Sequence, residues 1–218
     1  MFPLLFRAAT GCALVLVTWA LPRAADAQAP MSGVEQARQD SIRRPYTKAD
    51  IGFMSGMIYH HAQAVKMANW APSHGASPAL QIYCGRVAMA QTAEIGLMSD
   101  WLRDRNQPVP NPDADDMGGM PGMSGMSGMQ SHIMPGMLTP EQMKQLDAAR
   151  GPEFDRLFLT YMIQHHRGAI QMVDTLLATP AAAQDEIVFK FANDVQADQS
   201  TEIDRMQQML DAMKAGSR

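Results

Sequence analysis

Cysteine is nearly missing from this chain. Cys12 and Cys84 are the only two in 218 residues, so an exported form cut after the N-terminal segment keeps one thiol and no internal disulfide. Strand signals are missing as well: β-branched residues are few and never alternate over a useful length. No basic patch appears, which argues against nucleic acid as a partner. No Glu-x-x-His occurs anywhere, and the di-iron sites of ferritin-like bundles need two of them. The one long apolar run, Ala8–Leu21, is too short to span a bilayer comfortably.

That run has the marks of a secretory signal peptide. Arg7 precedes it, and Pro22 and then Ala25-Asp26-Ala27 follow as a small-residue cleavage site. Residues 1–27 are therefore set apart from the fold. Cys12 lies inside the apolar run, the wrong place for a lipidated mature N-terminus. The remaining 191 residues carry 16 basic and 21 acidic side chains, and nineteen methionines against one cysteine. Thiols oxidise outside the cytoplasm, whereas thioethers persist better as soft ligands. A periplasmic or secreted location is expected, without stable membrane insertion.

Two segments of the chain match without gaps. FMSGMIYHHAQAVKM opens at Phe53 and FLTYMIQHHRGAIQM at Phe158, an offset of 105. His60-His61 matches His165-His166, Met57 matches Met162, and Met67 matches Met172. Downstream, QTAEIGLMSDWL at Gln91 matches QSTEIDRMQQML at Gln199. The chain reads as an internal duplication, with modules at 28–105 and 139–218 and a linker at 106–138. Each module predicts two long helices. Thr47 and Asp50 open the first, which Pro72 ends, and Ser77-Pro78 opens the second, to about Arg105. Thr139-Pro140-Glu141 starts a short helix that Gly151-Pro152 breaks. A long one then runs to about Ala178, and another from just after Thr179-Pro180 to about Lys214. A short helix is expected near Glu35–Arg43. The result is an all-α chain, a four-helix bundle with one long crossover as in ferritin-like folds.

On a helix, Met57 stacks with His60 and His61, and Met67 lies two turns beyond His60. Met162, His165, His166 and Met172 repeat that face. Two adjacent histidines diverge by about a hundred degrees, so one of each pair faces the bundle axis and the other a seam. Glu94 and Glu202 fall on buried faces and need a partner, either a histidine or a metal ion. Hard ions want clustered carboxylates and zinc takes thioether poorly, whereas Cu(I) accepts thioether and imidazole. Copper is the expected metal, Cu(I) above all, with Ag(I) as a mimic; imidazole would also hold Cu(II). The primary candidates are Met57, His60, His61, Met67, Met162, His165, His166 and Met172. Met54, Glu94, Met98, Glu202 and Met206 are secondary, since helical Met such as Met98, Met206 and Met209 commonly fills core. Cys84 is expected buried, and His74, after Pro72, exposed.

The pair of motifs H-H-x-x-A-[VI]-x-M and Q-x-x-E-I-x-x-M resembles domain-of-unknown-function family 305, over about Asp50–Leu102 and Phe154–Leu210. The resemblance implies a ferritin-like, secreted protein that binds copper through Met and His in copper tolerance or trafficking. Residue by residue it points to the same eight primary candidates. A copper exporter, oxidase or chaperone would be the partner, and no catalysis is expected. The competing readings are a ferritin-like di-metal redox enzyme and a structural interaction module without metal.

The linker falls outside both motifs. Gly and Pro keep it from being helical, so core filling cannot explain its methionines. Met117, Met120, Met123, Met126 and Met129 recur every third residue, with His132, Met134 and Met137 beyond. They read as a soft-metal tract of exchangeable sites. Deleting 117–137 is expected to lower total copper bound, by metal analysis, while the fold and the tightest site persist. An unchanged stoichiometry would make the tract a tether.

Overall fold

A computed structural model describes residues 32–34, 45–112 and 134–216. The expected signal peptide, the expected helix at 35–43, and Met117, Met120, Met123, Met126, Met129 and His132 lie outside them. The described chain is all-α: α1 (Lys48–Asn69), α2 (Pro78–Asp104), the short α3 (Pro140–Ala148), α4 (Pro152–Ala178) and α5 (Glu186–Gly216). Among the described residues no helix is long and apolar enough to cross a membrane.

Local chemistry sets most boundaries. Thr47 caps α1 in a reciprocal box with Asp50, and Ser77 followed by Pro78 opens α2. Thr139 and Gln142 form the same box on α3. Pro152 opens α4 after Gly151, whose φ of 57° suits glycine. The start of α5 corrects the expectation from Pro180. Ala181 and Ala183 turn left-handed first, and Asp185 then accepts from the N–H groups of Ile187 and Val188. Its cap sets the helix start.

The long helices form two hairpins, α1–α2 and α4–α5, and the hairpins meet along α1 and α4. Two apolar clusters build the core, and each draws on all four long helices. One joins the C-terminal half of α1 (Ala64, Met67) to the N-terminal half of α4 (Phe154, Phe158, Met162). The other joins Phe53, Met54 and Met57 to Ala169, Val173 and Leu176. Helices α1 and α4 are therefore antiparallel.

Polar ties cross between the hairpins at both ends. At one end Asp155 accepts from the Ser77 backbone, and the Gly151 N–H donates to the His74 carbonyl at 2.8 Å. His74 is buried, contrary to its expected exposure: its ring stacks on Trp70, and its Nε2 lies 2.9 Å from the Asp147 carbonyl. At the other end the fully buried Asp50 accepts from the Ala183 N–H at 2.7 Å. There too Arg105 pairs with Asp185 at 2.5 Å, both almost wholly buried, while Trp101 Nε1 donates to the same carboxylate.

Removing one partner of a buried ion pair leaves the other charge uncompensated. Asp185→Ala is expected to cost about 3–5 kcal/mol, read by urea denaturation. A loss below about 1 kcal/mol, the range of a surface pair, would contradict the tie.

Candidate metal centre

Between the two apolar clusters every long helix turns polar at the same level. Helix α1 contributes His60 and His61, and α2 contributes Gln91 and Glu94. Helix α4 contributes His165 and His166, and α5 contributes Gln199 and Glu202. These eight residues are the repeated positions of the sequence motifs. All four histidines are fully buried, and both glutamines are buried.

The rings are held from their outer edges. His61 Nε2 donates to Glu94 Oε2 at 2.7 Å, and His166 Nε2 donates to Glu202 Oε2 at 2.5 Å. His60 Nε2 donates to the Pro135 carbonyl at 3.0 Å. A neutral ring that donates through Nε2 keeps a bare lone pair on Nδ1. Among the described residues no partner is present for Nδ1 of any of the four, nor for the Nε2 of His165 or the Oε1 of Gln91 and Gln199. The rings of His60 and His165 lie 3.8 Å apart between centroids, across the α1–α4 interface.

Electrostatics keep the central pair neutral. Burial, then the neighbouring His61 and His166, pushes His60 down to about 3, against a smaller opposing effect of the Pro135 hydrogen bond. Burial and the surrounding His60, His166 and His61 hold His165 well below the usual histidine range. Cys84 is buried and free, as expected; burial first, then Asp155, raises its thiol to about 12, which keeps it unreactive.

The methionines divide around this layer. Met57 is fully buried on one side and Met162 on the other. Met67 and Met206 pack fully buried in the cluster of Met162, and Met54 and Met98 in that of Met57. Met172 is half-buried against the Met57 cluster. Among the described residues no three His, Cys, Asp or Glu side chains are placed to share one ion. What the layer offers is imidazole, with thioether one turn away on α1 and α4.

The end of the expected linker packs beside the histidines. Residues 134–138 form a strap over the α1–α4 seam. Gln63 grips Leu138 through both amide atoms, at 2.7 and 3.2 Å. Gln164 Nε2 donates to the Gly136 carbonyl. Backbone meets backbone where the strap crosses α4, and a Cβ on Gly168 would lie 1.9 Å from the Pro135 carbonyl oxygen. Met137 is buried, and Met134 is half-buried. Sequence reasoning passed over Gly168, Gly136 and Pro135; the unequal residues at matched positions, Gln63 and Gly168, were the available signal.

Depressed histidines make stability depend on pH. An unfolded histidine titrates near 6.5, so below that value the unfolded chain binds protons that folded His60 and His165 refuse. Above about pH 6.5 they cost nothing by protonation, and below it stability falls by roughly 1.4 kcal/mol per pH unit for each proton refused, down to about pH 3 for His60. Metal-free protein is expected to melt at successively lower temperature at about pH 7, 6 and 5. A flat melting temperature across that range would contradict the burial of neutral rings.

The chain matches the family described as "Domain of unknown function (DUF305)" over residues 50–210. No curated protein matches it. A DUF305 protein of Streptomyces coelicolor, described as secreted, has a similar structure, with a TM-score of 0.61 and 27% identity over 76% of this chain and 94% of that one. CopM in its Cu(II)-bound form is similar at a TM-score of 0.56 and 27% identity, covering 75% and 96%. CopM in its Cu(I)-bound form gives 0.53 and 26%, covering 77% and 98%. With the family matched across nearly all of both hairpins, this chain belongs to DUF305.

Proposed function

We propose that this chain is an exported copper-binding protein that takes up Cu(I) at the histidine layer and stores it or hands it on, without a reaction of its own. One observation carries the reading: four buried imidazoles with no partner on Nδ1 among the described residues. An unsatisfied buried polar atom costs about 1–3 kcal/mol, and a soft cation is the group that bare imidazole nitrogens flanked by thioethers would accept. Glu94 and Glu202 fit the outer role in such a centre, since a carboxylate on the far ring nitrogen orients an imidazole and raises its basicity. The likeness to CopM bound to Cu(I), Cu(II) and silver supports the same metal class. Export rests on residues 1–27 and on the likeness to a protein described as secreted. A redox di-metal centre draws less support, because among the described residues the layer holds only two carboxylates, Glu94 and Glu202, and no Glu-x-x-His motif.

The test is anaerobic Cu(I) titration of metal-free protein against a chromophoric chelator, with thermal melts alongside. Binding to the native state alone is expected to add about 2.7 kcal/mol of stability at a hundredfold excess over Kd. Glu94→Gln and Glu202→Gln together are expected to weaken copper binding by roughly 10–100-fold with the helices intact. Unchanged copper binding after His60→Asn and His165→Asn would sink the histidine-layer site.

A further inference from the structure

The histidines are sealed from solvent, so an ion needs a place to land. One lies where the strap meets α1. Gly56 sits one turn before His60, and two thioethers converge on the space its missing side chain leaves. A Cβ there would lie 3.2 Å from Met134 Sδ and 3.4 Å from Met172 Cε. Met134 comes from the linker end and Met172 from α4. Both are half-buried, unlike the fully buried Met57, Met67 and Met162. The next strap residue, Pro135, holds His60 through its carbonyl. Outside the strap an open groove runs along Gly136, Gln164, Arg167, Gly168 and Gln171.

The matched position in the other half is closed. Tyr161 stands where α1 has Gly56, and its hydroxyl donates to Gln145 of α3. Met67 stands where α4 has Met172 and is fully buried in core. The two halves thus differ at Gly56 and Tyr161, and in how deeply the matched Met172 and Met67 are buried.

We infer that Met134 and Met172 form a second, outer soft-metal site, a two-thioether landing point for Cu(I) beside His60. The choice of metal rests on the function proposed above. Two thioethers on separate segments, both partly solvent-accessible, suit a soft monovalent ion and disfavour a hard one. With only two donors the site is exchangeable. Gly56 keeps the space open, and the contact between the strap and Gly168 brings Met134 to it.

The experiment is a silver titration of the full chain carrying methyl-labelled methionine, followed by NMR. Met134→Leu and Met172→Leu assign the two methyl signals, since Met-to-Leu swaps conserve volume and disturb the fold little. The two methyls are expected to shift together with one apparent affinity. Met134→Leu is expected to weaken silver binding at Met172 by about tenfold or more, because it removes the tethered second donor. Gly168→Ala, which pushes the strap off α4, is expected to uncouple the two signals without replacing a methionine. Independent titration of the two methyls, or coupling that survives Gly168→Ala, overturns the outer site. Silent Met134 and Met172 methyls beside histidine signals that respond to silver overturn the outer site alone. A chain in which neither methionines nor histidines respond overturns the copper reading with it.

Discussion

Burying His60 and His165 against each other in the middle of a helical bundle keeps both rings neutral, and much of the structure follows from that. A charge on either ring would lose its hydration with no carboxylate bonded to it in return. His60 and His165, in contact across the α1–α4 interface, feel this most. Neutral rings have one donor each. His60 spends its donor on the Pro135 carbonyl, which leaves its other nitrogen a bare acceptor in an apolar interior. The layer cannot add to stability as packed side chains would. The clusters on either side and the polar ties at the two ends must offset its cost. Arg105 with Asp185 and Asp50 with Ala183 close one end, and His74 with Gly151 closes the other.

The antiparallel run of α1 and α4 decides what the methionines can be. Because the helices point in opposite directions, Met57 and Met162 fall on opposite sides of the histidines. The same geometry puts Met67 with Met162, and Met172 with Met57. A set of four equivalent thioethers around one ion is not what the helices present. Spacing alone could not reveal this, because a methionine three or seven residues from a histidine has the same periodicity whether it packs or binds.

The fold and the level of the site were legible because the chain states them twice. Two copies of His-His and two of Gln-x-x-Glu in matching order placed eight residues in one layer. Proline and hydroxyl caps marked most helix boundaries. What stayed hidden depends on contacts distant in sequence. Asp185 begins α5 because its carboxylate caps that helix and meets Arg105 from the other hairpin. His74 is buried because α3 and the turn before α4 fold over it. The strap was hidden for a similar reason: glycine and proline in residues 134–138 read as linker, and the surface they fit is the seam between α1 and α4.

The departures from the repeat are as informative as its matches. Gln63 and Gly168 occupy equivalent positions, yet one grips the strap with its amide and the other admits the strap's backbone by having no side chain. A symmetric pair could not hold a single segment this way. A glutamine in place of Gly168 would keep the strap's backbone off α4, and a glycine in place of Gln63 would remove both hydrogen bonds to Leu138. Gly56 and Tyr161 differ in the same sense, one leaving room beside the histidines and the other filling it. Two hairpins with matching polar positions thus build a paired polar layer, and a few unequal residues give that layer one side on which the linker's end sits.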